Sequence, residues 1–387
     1  MEQTKTIAFA LLRYTLCGVE IPLAVREQIT QVRLENVYRL SKSHDLAHLV
    51  ADALDKNGLL DDSEISNKFR AERVLAVYRY EQMQYELDAI CKTLEEEKIE
   101  HIPLKGSVLR KYYPEPWMRT SCDIDILVHE IDLEAAVKLL TGKLKYRVGD
   151  KDAHDISLFS PGGVHLELHF KLVDARVSRR GEQFLTDIWN NCDKINGLTH
   201  QRMIIDETFY FYHIAHMAKH FELGGCGIRS FIDLWILNHR VQFEREKREK
   251  LLADGELLRF DTLAQKLAEV WLSQAGYDER TKTMEDYVLR GGAYGTLENG
   301  VTVKQAKKKG KFGYLLSRIF ISYEALVVLY PSLKKRKCLF PFYQIRRWFR
   351  LLLKGKTRSA LKELKVGADV SKKQKKEVKK LLQDLGL

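Results

Sequence analysis

The 387-residue sequence has few cysteines, and none of them is spaced as a metal-binding or redox pair. Six are scattered along the chain without a Cys-x-x-Cys motif: Cys17, Cys91, Cys122, Cys192, Cys226 and Cys338. This pattern excludes a disulfide framework and a cysteine-rich zinc site. Reduced, unpaired thiols are typical of cytoplasmic proteins, and we expect a cytoplasmic location.

Long apolar runs are also missing. No stretch approaches the roughly 20 apolar residues that a membrane-spanning helix needs. Residues 1–13 have one Lys before a short apolar run that ends at Arg13, which favours a helix over a signal peptide. Repeats and low-complexity segments are absent. The glycines of residues 290–295 stand in the wrong order for a P-loop or a dinucleotide-binding loop.

Charge is distributed unevenly. The net charge is +11, yet residues 301–387 hold 24 Lys and Arg against five Asp and Glu, while the rest of the chain holds 40 against 48. Within this tail, residues 345–353 mix arginines with aromatic and aliphatic side chains in a helical pattern. We expect the tail to contact an anionic membrane surface, peripherally at the inner membrane face, or a nucleic acid. A third reading is that it packs on the core with its charges solvated.

The hydrophobic periodicity predicts an α+β fold in four regions: an N-terminal helical region (1–98), an α/β core (99–175), a helical subdomain (176–300) and a basic amphipathic helical tail (301–387). The first region includes a long helix from Ser63 or Glu64 to about Glu97. In the core, the pattern predicts helices at 108–113 and 133–140 and strands at 102–104, 124–128, 146–148, 156–159 and 164–170. The glycines after Pro161 predict the turn that joins the last two strands.

Three acidic residues stand out in the predicted core strands. Asp123 and Asp125 are two residues apart, so both face one side of their strand, and Glu167 projects in the same way from another. Neighbouring carboxylates repel unless a cation lies between them, and Mg2+ prefers such oxygen ligands. We therefore predict a divalent-metal site. His165 and His169 share the face of Glu167, and we expect them to border this cleft, because imidazole is a poor ligand for a hard cation.

Gly106 and Ser107 stand upstream of these acids, between an apolar strand and a helical segment. Such a turn lets backbone N–H groups and a hydroxyl approach a phosphate. The order Gly-Ser, Asp-x-Asp and a separate Glu-bearing strand resembles the polymerase-beta-like nucleotidyltransferase superfold. The fuller pattern, in which Lys105 precedes Gly106 and Arg119 precedes the two aspartates, resembles a bacterial family of nucleotidyltransferases often found near polysaccharide genes.

The resemblance implies an enzyme with a small mixed-sheet nucleotidyltransferase core. It would transfer a nucleotidyl group from an NTP, with ATP as one candidate, to an acceptor that the motif does not specify. Asp123 and Asp125 would hold two Mg2+ ions, and Glu167 would bind the acceptor-side ion or accept the proton.

The resemblance also implies phosphate-binding residues. Gly106 and Ser107 would cradle the β- and γ-phosphates, with Lys105 and Arg119 balancing their charge. The remaining candidates follow the core: Lys219, His220 and Arg229.

These last three residues allow two readings. In the first, residues 209–238 form two packed core helices with a glycine-rich joint. In the second, they form a helical subdomain that closes over the nucleotide, with Lys219, His220 and Arg229 facing the triphosphate or the acceptor.

Two functional alternatives stay open at this stage. One is a catalytically silent scaffold of the same fold, whose basic tail contacts a membrane or a nucleic acid. The other is a different phosphoryl-transfer activity on the same metals, such as hydrolysis or kinase chemistry. Three converging carboxylates argue against the scaffold.

Overall fold

The computed structural model describes residues 2–172, 181–293, 295–307, 320–330, 332–333, 337–353 and 371–387. The predicted tail segments 308–319, 334–336 and 354–370 and Tyr294 of the glycine loop lie outside the described residues. The fold is mixed α+β with helical regions towards both termini, as predicted.

The chain divides into two compact units. One comprises Met1–His216 and Ile228–Tyr277, and the other comprises Met217–Gly227 and Asp278–Leu387. The four regions inferred from the sequence stay a prediction.

The first unit contains a five-stranded mixed sheet in the order β1-β2-β5-β4-β3. Its strands are β1 (His101–Pro103), β2 (Asp123–Val128), β3 (Arg147–Lys151), β4 (Asp155–Phe159) and β5 (His165–His169). Strands β2 and β5 pair in parallel, whereas the other neighbours are antiparallel. A separate antiparallel pair is formed by β6 (Cys192–Lys194) and β7 (Arg202–Ile204).

Helices make up most of the rest of the described chain. Those that begin in the first unit are α1 (Glu2–Cys17), α2 (Leu23–Arg26), α3 (Gln31–Ser43), α4 (Ala47–Lys56), α5 (Glu64–Glu96), α6 (Gly106–Leu109), α7 (Leu133–Lys143), α8 (Glu182–Thr186), α9 (Asp206–Leu223), α10 (Ile228–Arg240), α11 (Arg245–Asp254) and α12 (Leu258–Leu272). Those of the second unit are α13 (Glu279–Gly291), α14 (Leu297–Lys307), α15 (Tyr323–Leu329), α16 (Phe340–Leu353) and α17 (Lys372–Leu385). Among the residues that the structure describes, no helix is both long and apolar enough to span a bilayer.

Strand alternation gives the main sheet one apolar and one polar face. Ile124 and Ile126 of β2 and Leu166 and Leu168 of β5 are buried and share a core with α5 and α7. The long helix begins where predicted, because Ser63 caps it by accepting a hydrogen bond from the Ser66 N–H. The opposite face of β2 and β5 carries the acids and histidines.

The predicted helix 108–113 begins earlier than expected and ends sooner as an α-helix. It starts at Gly106, and after Leu109 it continues only as a 3-10 turn, Arg110–Tyr112. Tyr113 is extended, because the residue before a proline is disfavoured in the α conformation.

Candidate active site

The pairing of β2 with β5 brings the predicted acids together. Asp125 lies directly opposite Glu167, and Asp123 lies opposite His165 in the parallel register. Because paired residues in neighbouring strands point to the same face, all four side chains project from the polar face of the sheet. Asp125 is almost fully buried, whereas the Glu167 side chain is 26% exposed.

Lys105 reaches into this group of acids from the turn after β1. Its Nζ donates to Asp125 Oδ1 at 2.6 Å and lies 4.0 Å from Glu167 Oε2. The turn closes through a hydrogen bond from the Ser107 N–H to the Leu104 carbonyl. Lys105 has φ 44° and ψ −117°, which is the first central position of a type II′ turn and normally favours glycine. The lysine is therefore kept at a strained position at the edge of the site.

His169 completes the immediate surroundings of Asp125. Its Nε2 donates to Asp125 Oδ1 at 2.8 Å and lies 3.4 Å from Glu167 Oε2. Burial lowers the pKa of His169, but its contacts with the two carboxylates outweigh burial and raise that pKa above its usual value. The imidazole thus orients Asp125 and stabilises its negative charge.

The two aspartates titrate differently although they are two residues apart. Burial, with the negative charge of Asp125 beside it, raises the pKa of Asp123 to about 6. Burial also opposes ionisation of Asp125, yet Lys105 and His169 hold the pKa of Asp125 well below its usual value. Hydrogen bonding to His169 lowers the pKa of Glu167 as well. Asp125 and Glu167 are therefore anionic at neutral pH, as metal ligands must be.

The ligand atoms at this face fit a divalent cation. Asp125, Glu167 and His169 each offer an atom within 4.8 Å of the others, and Asp123, His165 and Glu167 form a second such group. Glu167 belongs to both groups and links the two aspartates. Carboxylate oxygens dominate the set, which suits a hard cation better than a soft one.

Gly106 and Ser107 follow Lys105 in the turn that delivers it to the acids. A Cβ on Gly106 would lie 3.1 Å from the Ser121 Cβ, so the chain packs closely here against the segment that enters β2. The N–H groups of Ser107 and Val108 are used inside the turn. The Ser107 hydroxyl is buried and has no hydrogen-bond partner among the described residues, so it is the polar atom of this turn that a ligand would satisfy.

The structure places Arg119 in a buried ion pair. Its Nε and Nη2 donate to the two carboxylate oxygens of Asp233 on α10, at 2.7 and 2.8 Å. The Tyr113 hydroxyl also donates to Asp233, at 2.7 Å. The segment between the Gly106 turn and β2 is thereby fixed to α10, and the binding of phosphate by Arg119 stays a prediction.

Arg229, also on α10, holds the same segment. Its Nη1 donates to Asp45 at 2.5 Å and to the Thr120 carbonyl at 3.2 Å. The Thr120 hydroxyl donates to the same Asp45 carboxylate at 2.9 Å. A nucleotide contact for Arg229 is again a prediction. Lys219 and His220 lie on α9, within the second compact unit, and their predicted roles are also untested.

Sequence reasoning missed Tyr212 as a site residue. It is buried on α9, and its pKa is raised by burial and by the nearby charges of Asp125 and Glu167, with Lys105 opposing them. The aromatic run 209–212 was visible in the sequence, but nothing in it indicated which ring faces the acids. Asp45 was also missed, because its partner Arg229 lies 184 residues further along the chain.

The mixed sheet thus carries Asp-x-Asp on one strand and Glu on its parallel neighbour, in groups close enough to share one cation. Residues 30–273 match the family described as uncharacterised nucleotidyltransferase. The match covers more than half of the chain, so the protein belongs to this nucleotidyltransferase family, as its sequence motifs predicted. Among curated proteins, none matches it.

Proposed function

We propose that this protein is a divalent-metal-dependent nucleotidyltransferase that takes a nucleotidyl group from an NTP. The observation that carries the proposal is the convergence of Asp123, Asp125 and Glu167 on one face of β2 and β5, beside the turn that bears Lys105 and Ser107. A scaffold without catalysis gains no stability from three neighbouring acids in a partly buried site.

Asp123, Asp125 and Glu167 would hold Mg2+. When bound, the ions would polarise the triphosphate and lower the pKa of the attacking hydroxyl. His169 keeps Asp125 oriented and ionised through its 2.8 Å hydrogen bond.

Lys105, which contacts Asp125, and the buried hydroxyl of Ser107 in the same turn are groups that suit a triphosphate. The Lys105 ammonium would bind the β- and γ-phosphate oxygens, and the Ser107 hydroxyl would donate to one of them. The acceptor oxygen would attack the α-phosphorus, the bond to the β-phosphate would break, and pyrophosphate would leave. Glu167, whose side chain is 26% exposed against 4% for Asp125, would accept the proton of the acceptor hydroxyl.

The test starts with calorimetric titration of each NTP in the presence and absence of Mg2+. We expect Mg2+-dependent binding of at least one NTP, with ATP as the first candidate, and its loss in the Asp123→Asn/Asp125→Asn double variant. Asp150→Asn is the matched control, because Asp150 is an exposed aspartate on β3 of the same sheet. Equal NTP affinity of the wild type, the double variant and the control would show that the two aspartates take no part in nucleotide recognition.

Pyrophosphate release then separates nucleotidyl transfer from hydrolysis to phosphate or from kinase chemistry. Transfer of an α-labelled nucleotide, with one pyrophosphate per nucleotide transferred, supports the proposal. Binding without turnover across acceptors that carry a sugar phosphate, a protein hydroxyl or an RNA end would favour the scaffold.

A second surface supports a peripheral membrane contact. On α16, Phe342, Ile345 and Phe349 are spaced three and four residues apart, and all are more than 40% exposed. Arg346 and Arg350 are exposed beside them. We infer that the partner is an anionic bilayer surface. The exposed apolar row can be buried in lipid while the arginines beside it contact anionic headgroups, whereas a nucleic-acid backbone offers no apolar environment for such a row.

Vesicle flotation tests this contact with the full chain. Binding to vesicles containing phosphatidylserine, and its loss in Phe342→Ser/Phe349→Ser, is the expected result. If the protein binds RNA but not vesicles, and the double variant still binds RNA, the partner is a nucleic acid and not a membrane.

A further inference from the structure

The Lys105 ammonium contacts the carboxylates that the proposed function assigns to the metal. Its distances of 2.6 Å to Asp125 Oδ1 and 4.0 Å to Glu167 Oε2 place one positive charge between two proposed ligands. The Lys105 side chain is 23% exposed and that of Asp125 only 4%, so the contact is screened less by water than a surface ion pair.

The same Asp125 oxygen is shared with His169. Oδ1 accepts from Lys105 Nζ at 2.6 Å and from His169 Nε2 at 2.8 Å. A carboxylate oxygen has two in-plane lone pairs, and both are directed to donors here. Mg2+ requires such a lone pair at a distance of about 2.0–2.1 Å. Coordination through this oxygen therefore requires one of the two donors to leave it.

Lys105 is the donor that can leave. His169 belongs to β5 and is held by the parallel pairing with β2, and its side chain is only 5% exposed. Lys105 lies in a turn, and its flexible four-carbon side chain ends at the more open side of the site. A triphosphate offers the ammonium an alternative anionic partner.

We propose that Lys105 is an internal counter-cation, which keeps divalent metal off Asp125 and Glu167 until a nucleotide triphosphate draws the ammonium away. The proposal rests on the nucleotidyltransferase function but addresses the order of binding. It makes metal and nucleotide binding mutually dependent, because each favours the same displaced position of one side chain. By linkage, the nucleotide strengthens metal binding by the same factor as the metal strengthens nucleotide binding.

The test is Mn2+ titration of the full-length protein without nucleotide, followed by electron paramagnetic resonance of the free ion. We expect weak binding by the wild type and binding about tenfold tighter or more by Lys105→Met, since this variant removes a positive charge that lies 2.6 Å from Asp125 and 4.0 Å from Glu167. Lys105→Arg keeps the charge and should bind as weakly as the wild type. Lys194→Met, at an exposed lysine on β6, is the matched control and should leave Mn2+ affinity unchanged.

Addition of ATP gives the second readout. It should tighten Mn2+ binding by the wild type, and this enhancement should shrink in Lys105→Met. The proposal is overturned if Lys105→Met binds Mn2+ no more tightly than the wild type, or if none of these proteins binds Mn2+. Near-ultraviolet circular dichroism checks that the variant is folded, and Lys105→Gln, which also removes the charge, takes its place if Lys105→Met is not folded.

Failure of the two proposals can be told apart. Pyrophosphate release by the wild type tests the transferase function without reference to Lys105. Tight Mn2+ binding by Lys105→Met tests the counter-cation without reference to turnover.

Discussion

Lys105 combines a strained backbone conformation with a buried ion pair, and two substitutions can separate these contributions to stability. Lys105→Ala and Lys105→Gly both remove the ammonium, so both leave Asp125 with His169 as its partner. They differ only in whether a Cβ remains at φ 44°, ψ −117°. The stability difference between them therefore reports the backbone strain, less the entropic cost of glycine.

The magnitude follows from two opposing effects. Loss of the partner of a buried charge costs up to about 3–5 kcal/mol, but this loss is common to both variants and cancels. A Cβ at this positive φ costs about 1–2 kcal/mol. Glycine, in turn, lowers the free energy of unfolding by about 0.5–1 kcal/mol relative to alanine, because its unfolded chain has more conformational freedom. Lys105→Gly should thus be more stable than Lys105→Ala by up to about 1.5 kcal/mol.

The assay is urea unfolding followed by tryptophan fluorescence, because four of the five tryptophans lie in the first compact unit. The control is the same pair of substitutions at Lys194, a strand position that is not among the residues with positive φ. There the order should reverse, with alanine more stable than glycine by about 0.5–1 kcal/mol. The same order of alanine over glycine at both positions would refute the strain at Lys105.

Three further predictions concern stability away from the acids. Asp233→Asn should destabilise the first unit by about 3 kcal/mol or more in urea unfolding, because it leaves the buried Arg119 guanidinium without its anionic partner. Burial raises the pKa of Asp261 from 3.8 to about 6, so the contribution of its protonated form to stability is full below about pH 4 and is lost as the pH rises through about 6. The free energy of unfolding of the wild type relative to Asp261→Asn should therefore fall over this range. A difference that does not change with pH would contradict the raised pKa. Gly224→Ala should destabilise the second unit by more than about 2 kcal/mol in thermal unfolding, since its Cβ would lie 2.5 Å from backbone at φ +127°, whereas Gly276→Ala, with open space around it, is the control that should change little.

The sheet around the site could be predicted from local pattern. Alternation of polar and apolar residues placed Asp123 and Asp125 on one face, and the turn before Val164 joined β4 to β5 as expected. Both features depend only on residues a few positions apart, which is the range over which periodicity and turn chemistry act. The membership of β2 and β5 in one sheet followed from the family resemblance and not from the pattern itself.

The partner of Lys105 could not be predicted in this way. The sequence placed a lysine beside a glycine turn, which is equally compatible with binding a phosphate or a carboxylate. The contact with Asp125 depends on the direction that the type II′ turn gives the side chain, and a lysine at a position that favours glycine is not expected from turn preferences.

Arg119 shows a deeper reason why the site residues are harder to predict than the sheet. A guanidinium binds carboxylate and phosphate with the same two-pronged geometry, so an arginine close to a cluster of acids indicates an anionic partner without saying which one. In the folded chain the partner is Asp233, 114 residues further on, and not a group of the acidic cluster. Arg229 repeats the pattern by binding Asp45, 184 residues earlier in the chain. Both arginines hold the segment that leads into β2, so the position of Asp123 and Asp125 depends on charge pairs that only the tertiary fold brings together.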